Sequence, residues 1–102
     1  MSHKIFSHIP PIEYKGANNK DPMAFNFYEA EREIYGKTMR DHLRFSVCYW
    51  HSFNWLGNDV FGDGAFPRPW LTGENNNQNA LHKLDAAFDF FERLGTSFFC
   101  FH

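Results

Sequence analysis

The sequence predicts an α/β fold: an irregular arm with short helices over residues 1–43, then one strand–helix–strand unit over residues 44–102. Two short segments rich in aromatic and β-branched residues have the composition of strands. A segment with the period of an amphipathic helix separates them. Strands in this order are expected to be parallel, because a right-handed helical crossover joins parallel neighbours.

The arm is expected to be irregular up to residue 29, since Pro10-Pro11, Gly16-Ala17-Asn18-Asn19 and Asp21-Pro22 interrupt every period. Its recurring aromatic residues indicate that it packs over a surface. Residues 29–43 are charged and compatible with helix, and Gly36 interrupts them, so one or two short helices are expected there.

The strand–helix–strand unit is predicted to begin with a strand at residues 44–50 and to end with one at residues 97–101. Residues 76–94 are predicted to form the helix, and Gly95 suits the left-handed position that often follows a helix. An apolar stripe marks the buried face, and the charged residues fall largely outside it. The stripe comprises Leu81, Leu84, Phe88 and Phe91, with Ala87 and Leu94 beside it; the charged residues are Lys83, Asp85, Asp89, Glu92 and Arg93.

The connection from the first strand to the helix, residues 51–75, is far longer than the few residues usual for such loops. It begins at the carboxyl end of a strand, where α/β folds place their functional sites. Because it is aromatic and glycine-rich, it is expected to be an active-site or interface loop. Phe61 within it is a candidate to insert elsewhere in an assembly; the alternative is an anchor packed on its own subunit.

Two features predict that the chain is the front part of a larger protein. A two-stranded parallel sheet cannot cover its own faces or edges. Aromatic residues make up 20% of the chain, including 13 Phe and 3 Trp, and a small domain has little interior for so many large side chains.

Charge and hydropathy exclude several classes of partner. The net charge is -2, the pI is about 6.3 and no basic cluster occurs, so neither nucleic acid nor an anionic membrane is expected as a partner. No apolar run is long enough to span a bilayer, and the first residues do not resemble a secretory signal. Cys48 and Cys100 are then expected to be reduced thiols of a soluble cytoplasmic protein.

Alternation along the strands brings two candidate residues together. Small residues suit a crowded interior, so the face with Ser46, Cys48 and Trp50 is expected to point inward, and so is the face with Cys100 and His102. Trp50 and His102 would then meet at the mouth of adjacent strands. An indole wall beside an imidazole suits a sugar, whose hydroxyl proton the histidine can move. The alternative is that His102 is a histidine at a strand end without a chemical role.

Zinc is a competing interpretation of the same region, because Cys48, His51, Cys100 and His102 are ligand types that zinc takes. The spacing argues against it. One residue separates Cys100 from His102, and His51 should point away from Cys48 if the strand continues. We therefore predict that the chain provides no metal ligands.

The run His42-Leu43-Arg44-Phe45-Ser46-Val47-Cys48-Tyr49-Trp50-His51-Ser52-Phe53 resembles the first barrel strand of xylose isomerases of the N-terminally extended class. The resemblance covers essentially the whole chain. It continues through Tyr14-x-Gly16, Pro22-Met23-Ala24-Phe25, Trp55-x-Gly57-x-Asp59-x-Phe61-Gly62, Gly64-Ala65-Phe66-x-Arg68-Pro69-Trp70, residues 83–94 and residues 98–102.

The resemblance implies a metal-dependent aldose–ketose isomerase that interconverts D-xylose and D-xylulose, and glucose and fructose, on a homotetrameric TIM (β/α)8 barrel. Residues 44–102 would be the first βαβ unit of that barrel. The residue matching His102 would move a proton during ring opening, the one matching Trp50 would form part of the sugar wall, and the one matching Phe61 would reach into a neighbouring subunit's site. Two divalent ions, Mg, Mn or Co, would drive the hydride shift, held by residues beyond 102.

On this interpretation the chain supplies ring-opening and sugar-wall residues and is inactive alone, because it has only about two of the eight strands of a barrel. An alternative from another class is a small non-catalytic, aromatic-rich binding or interaction module that folds by itself.

Overall fold

The computed structural model describes residues 5–72, 74 and 76–101. Within these residues the strands form two two-stranded sheets, in a small mixed α/β structure without a closed barrel. In chain order the elements are β1 (Glu33–Ile34), β2 (Lys37–Thr38), α1 (Met39–His42), β3 (Ser46–Cys48), α2 (Tyr49–Phe53), a 3-10 turn (Pro69–Leu71), α3 (Asn77–Leu94) and β4 (Phe98–Cys100). No helix in the described part of the chain is long and apolar enough to cross a membrane.

Strands β3 and β4 are parallel neighbours, and α3 lies between them in the chain, as the sequence predicts. Their register pairs Ser46 with Phe98, Val47 with Phe99 and Cys48 with Cys100. Both strands are shorter than predicted. The prediction of a strand over residues 44–50 is wrong at its carboxyl end, because the chain turns into α2 at Tyr49.

Packing explains why α2 replaces the end of the predicted strand. The helical turn buries Phe53 in the core, with its ring centroid 5.4 Å from that of Trp70 and 6.0 Å from that of Phe91. The Trp70 indole N–H donates to the Phe53 carbonyl oxygen at 2.8 Å. Burial of a phenylalanine and a tryptophan together outweighs the local preference of aromatic residues for strands. The core comprises Phe53, Trp70, Ala86, Ala87 and Phe91.

Helix α3 begins and ends where its local signals predict. The Asn76 side chain accepts a hydrogen bond from the Asn79 amide at 2.9 Å, which caps the first turn. Gly95 has a φ of 80°, and its amide donates to the Phe91 carbonyl oxygen at 2.9 Å. The prediction that the charged residues of this helix face solvent is wrong for Asp89, which is only 4% exposed.

The arm covers Asp89 and so explains its burial. The Phe6 amide donates to one carboxylate oxygen of Asp89 at 3.2 Å, and Arg93 Nε donates to the other at 3.0 Å. The Ile12 amide donates to the Arg93 carbonyl oxygen at 2.7 Å. The Phe6 ring lies 5.7 Å from that of Phe90, between centroids. Residues 6–12 of the arm therefore pack over α3.

Residues 29–43 contain one short helix, α1, and a hairpin that the sequence did not predict. Strands β1 and β2 are antiparallel, with Glu33 opposite Thr38. Tyr35 and Gly36 connect them with φ of 51° and 82°, the two positive values that a type I′ turn requires. Gly36 is thus part of a tight turn and does not interrupt a helix.

Candidate functional site

The candidate site lies at the carboxyl ends of the two parallel strands. Cys48 and Cys100 form the last register pair, and the Trp50 amide donates to the Phe101 carbonyl oxygen at 3.1 Å. That bond holds the second residue after β3 beside the first residue after β4. The Trp50 side chain is 57% exposed and lies in the first turn of α2, not at a strand end. His102 lies outside the described residues, so its meeting with Trp50 stays a prediction.

The turn of α2 also changes the position of His51. Its Nδ1 lies 3.1 Å from Cys48 Sγ, because residues three apart face the same side of a helical turn. The expectation that His51 points away from Cys48 is therefore wrong, and its premise of a continuing strand fails. Among the described residues, no group of three or more His, Cys, Asp or Glu side chains comes together as a possible metal site.

The two faces of the β3–β4 sheet differ as alternation predicts. Phe99 contacts α3, with ring centroids 5.3 Å from Phe91 and 5.2 Å from Phe88. Val47 packs against the core on the same face. On the opposite face Phe98 is 50% exposed. The face predicted to be a barrel interior is thus open to solvent in the described chain.

Tyr49 belongs to the covered side of the site. Its ring stacks on that of Phe53 at a centroid distance of 5.9 Å. Burial raises the pKa of its hydroxyl, so the side chain stays neutral at physiological pH. Lys83 Nζ lies 6.0 Å from the ring centroid and donates to Asn54 Oδ1. Tyr49 therefore contributes packing to the end of β3 and no charge.

Phe61 is at the tip of the long loop. The Asp59 amide donates to the Gly62 carbonyl oxygen at 2.9 Å, and the Gly62 amide donates to the Asp59 carbonyl oxygen at 3.2 Å. The Phe61 amide donates to Asp59 Oδ1 at 2.8 Å. The Phe61 side chain is 94% exposed. The ring is thus not packed against the described residues, and its contact with another subunit stays a prediction.

In the described part of the chain two hollows flank the unit, and neither Trp50 nor Phe61 lines them. An apolar groove of about 450 Å³ lies at the opposite, amino ends of the strands, beside Ser46 and Phe98. A smaller, polar hollow of about 300 Å³ lies between the end of α2 and α3, beside Asn54 and Lys83. The exposed Trp50 and Phe61 side chains are therefore surface features in the described chain and not walls of a closed pocket.

Comparisons with known proteins agree with the resemblance. A xylose isomerase from Solibacter usitatus is 50% identical over 102 residues, which is 100% of this chain and 23% of the relative. One from Burkholderia ambifaria is 50% identical over 97 residues, 95% of this chain and 22% of the relative. One from Photobacterium profundum is 50% identical over 99 residues, 97% of this chain and 23% of the relative.

The chain matches the N-terminal portion of xylose isomerases. The resemblance stated from its motifs is confirmed. No protein-family model matches the chain. The chain spans less than a quarter of the length of these curated relatives.

Sequence reasoning missed one residue of the long loop. The sequence names Arg68 only as part of a matching motif, yet its Nη1 donates to the Leu56 carbonyl oxygen at 2.9 Å and to the Phe66 carbonyl oxygen at 3.3 Å. The only signal in the sequence is an arginine at the end of a glycine-rich loop, where irregular backbone leaves carbonyl groups in need of donors.

Proposed function

We propose that residues 1–102 are the N-terminal part of a metal-dependent aldose–ketose isomerase that interconverts D-xylose and D-xylulose, and glucose and fructose. The observation that carries this proposal is the 50% identity to xylose isomerases over the full length of the chain. In this enzyme, residues 1–43 would be an arm with short elements. Residues 44–102 would be the first βαβ unit of a TIM (β/α)8 barrel, which β3, α3 and β4 resemble in order and direction.

The proposed sugar site uses Trp50 and His102. The Trp50 indole is exposed at the carboxyl end of the unit, where its apolar face can contact the C–H groups of a sugar. His102 follows Phe101, whose carbonyl oxygen accepts from the Trp50 amide at 3.1 Å, so the backbone supports their proximity. An imidazole titrates near neutral pH and can take a hydroxyl proton and return it while the ring opens.

Phe61 is proposed to complete the sugar site of a neighbouring subunit in a homotetramer. A ring that is 94% exposed buries little of its area on its own chain, and burial of an aromatic ring is strongly favourable. A partner surface that covers the ring would therefore be stabilised by it.

The metal ions are proposed to bind elsewhere in the enzyme. Hard divalent ions such as Mg, Mn or Co require several oxygen ligands that converge on one point, and the described residues offer no such group. We therefore place the metal ligands beyond residue 102, and propose that Trp50 and His102 act on the cyclic sugar before the metal-dependent hydride shift.

We expect the chain alone to be inactive, because the barrel interior and the metal ligands would both be missing. Other parts of the barrel would cover the open face around Phe98. The cytoplasm is the expected compartment, since Cys48 and Cys100 would stay reduced there.

The test is a chimera in which residues 1–102 replace the matching portion of the Solibacter usitatus relative, hereafter the complete enzyme. We expect it to convert D-xylose into D-xylulose with Mg²⁺ present. Trp50→Ala should lower kcat/KM by about tenfold or more, since loss of about 1.4 kcal/mol of aromatic contact is a factor of ten, whereas Tyr35→Ala, at an exposed aromatic residue in the turn between β1 and β2, should not. A complete enzyme that folds cooperatively without activity would contradict the proposal, and so would one that does not fold.

A further inference from the structure

The long loop is fastened at its base by one side chain. Arg68 Nη1 donates to the carbonyl oxygen of Leu56, twelve positions earlier, at 2.9 Å, and to that of Phe66 at 3.3 Å. Its Cζ lies 5.2 Å from the centroid of the Phe66 ring. One guanidinium thus joins the outgoing and returning halves of the loop, an arrangement called here the Arg68 clasp.

Two glycines make room for the Arg68 clasp. A Cβ atom at Gly57 would lie 2.5 Å from Arg68 Nη1, and the φ of 86° at Gly57 also disfavours other residues. A Cβ atom at Gly64 would lie 2.5 Å from the Leu56 carbonyl oxygen. The halves of the loop can therefore approach each other, and accept the guanidinium, only with glycine at these two positions.

The part of the loop beyond the clasp presents Phe61. The tight turn from Asp59 to Gly62 sets the direction of the ring, but a ring that is 94% exposed gains little position from contacts with its own chain. The backbone must therefore supply that position. A binding group that is held in place before it meets its partner loses less entropy on contact.

We infer that Arg68 is a positioning residue, which holds the loop so that Phe61 meets the sugar site of a neighbouring subunit in one orientation. This inference rests on the proposed function. The planar guanidinium can donate from Nη1 to both carbonyl oxygens and lie against the Phe66 ring at the same time, whereas a lysine ammonium can keep a hydrogen bond but offers no planar surface to the ring. Arg68→Lys should consequently hold the loop in place in part, whereas Arg68→Met should not hold it at all.

The first experiment measures the clasp without reference to activity. Amide hydrogen exchange is followed in the complete enzyme and in its Arg68→Met and Arg68→Lys variants. The paired amides of Asp59 and Gly62 should exchange about tenfold faster in Arg68→Met, the scale for loss of about one charge-assisted hydrogen bond, and less so in Arg68→Lys. Arg32→Met, at an exposed arginine outside the loop, is the matched control and should leave them unchanged.

The second experiment tests whether the clasp acts through Phe61. The values of kcat and KM for D-xylose are measured for Arg68→Met, Phe61→Ser and the double variant. We expect each single change to lower kcat/KM by about five- to tenfold, and the double variant to be no worse than Phe61→Ser. A merely structural Arg68 would instead lower activity by the same factor in both backgrounds.

The outcomes separate the inference from the proposed function. Unchanged amide exchange in Arg68→Met would overturn the clasp, whatever the activity. Faster exchange with independent kinetic effects, or with full activity of Phe61→Ser, would overturn the link from Arg68 to Phe61. Faster exchange in a folded complete enzyme without isomerase activity would overturn the proposed function and support the clasp alone.

Discussion

Replacement of Asp89 by alanine should release the arm from α3. The Asp89 side chain is 3% exposed and accepts hydrogen bonds from the Phe6 amide at 3.2 Å and from Arg93 Nε at 3.0 Å. Asp89→Ala removes both acceptors and adds none. The Phe6 amide then loses its partner beneath the arm, and the Arg93 side chain, which is 21% exposed, keeps a charge without its counterion.

The cost follows from these two losses. An unsatisfied, partly buried amide costs about 1–3 kcal/mol. Loss of a partner from a fully buried ion pair costs about 3–5 kcal/mol. The cost at Arg93 is smaller, because its side chain is partly solvated and still donates to the Ile9 carbonyl oxygen. We therefore expect about 2–4 kcal/mol for detachment of the arm. At about 1.4 kcal/mol per factor of ten, local opening becomes about thirty- to several-hundredfold more frequent.

Hydrogen exchange at the Phe6 and Ile12 amides of the complete enzyme measures this opening directly. Glu92→Ala is the matched control, because Glu92 is an exposed acid on the same helix and its loss should leave the arm protected. The exchange rates in Asp89→Asn should lie between those of Asp89→Ala and Glu92→Ala. The amide oxygen of the asparagine can still accept a hydrogen bond from the Phe6 amide, but it lacks the negative charge that pairs with Arg93. Equal protection in Asp89→Ala and Glu92→Ala would refute the reasoning that this carboxylate holds the arm.

Three further predictions concern the proposed enzyme. Residues 1–102 alone should show no cooperative thermal transition by circular dichroism, because the open sheet face leaves Phe98 uncovered; a sharp monomeric melt would favour the independent binding module. Calorimetric titration of the same chain with Mg²⁺ or Mn²⁺ should detect no site, and a one-to-one site of micromolar affinity would contradict the placement of the metals elsewhere. In the complete enzyme, His102→Asn should slow turnover of cyclic xylose by roughly 10²-fold, the usual scale for loss of a general acid–base group. Turnover of an open-chain substrate by the same variant should fall much less. Equal losses on both substrates would show that His102 has no part in ring opening.

The helix could be predicted closely because its signals are local. Asn76 caps the first turn and Gly95 ends the last, and each acts through residues within one turn of itself. The parallel direction of β3 and β4 followed from their order around that helix. Neither inference required knowledge of what packs on the unit.

The misjudged elements depend on contacts that are distant in the sequence or on rare backbone conformations. Tyr49 to Phe53 has a strand-like composition, and only burial of Phe53 against Trp70 makes the helical turn favourable. Asp89 was expected in solvent because nothing local indicates that the arm covers it. Tyr35 adopts a positive φ that non-glycine residues rarely take, so Gly36 alone indicated the turn, and a lone glycine also suits an interrupted helix.

In the candidate site too, features with local signals could be predicted, and features that depend on distant contacts could not. Exposure of Phe61 could be anticipated from glycines around a long loop, but the role of Arg68 could not, since its acceptor on Leu56 lies twelve residues away across an irregular path. The position of His51 beside Cys48 was missed for the reason that moved Trp50 into α2, namely the early end of β3.

Two sets of exposed apolar residues have different consequences for assembly. One group lies on the open face and at the amino ends of the β3–β4 sheet, where Phe45 and Phe98 are about half exposed. Neighbouring strands of a barrel would cover these rings, so we expect them to be buried in any folded monomer of the proposed enzyme. The second group lies on the long loop, with Val60 and Phe61 almost fully exposed. We propose that closure of the barrel leaves these two side chains exposed and that a neighbouring subunit buries the Phe61 ring, as the proposed function requires. Phe61→Ser should therefore weaken subunit association or sugar binding while the barrel stays folded, whereas Phe98→Ser should impair folding itself.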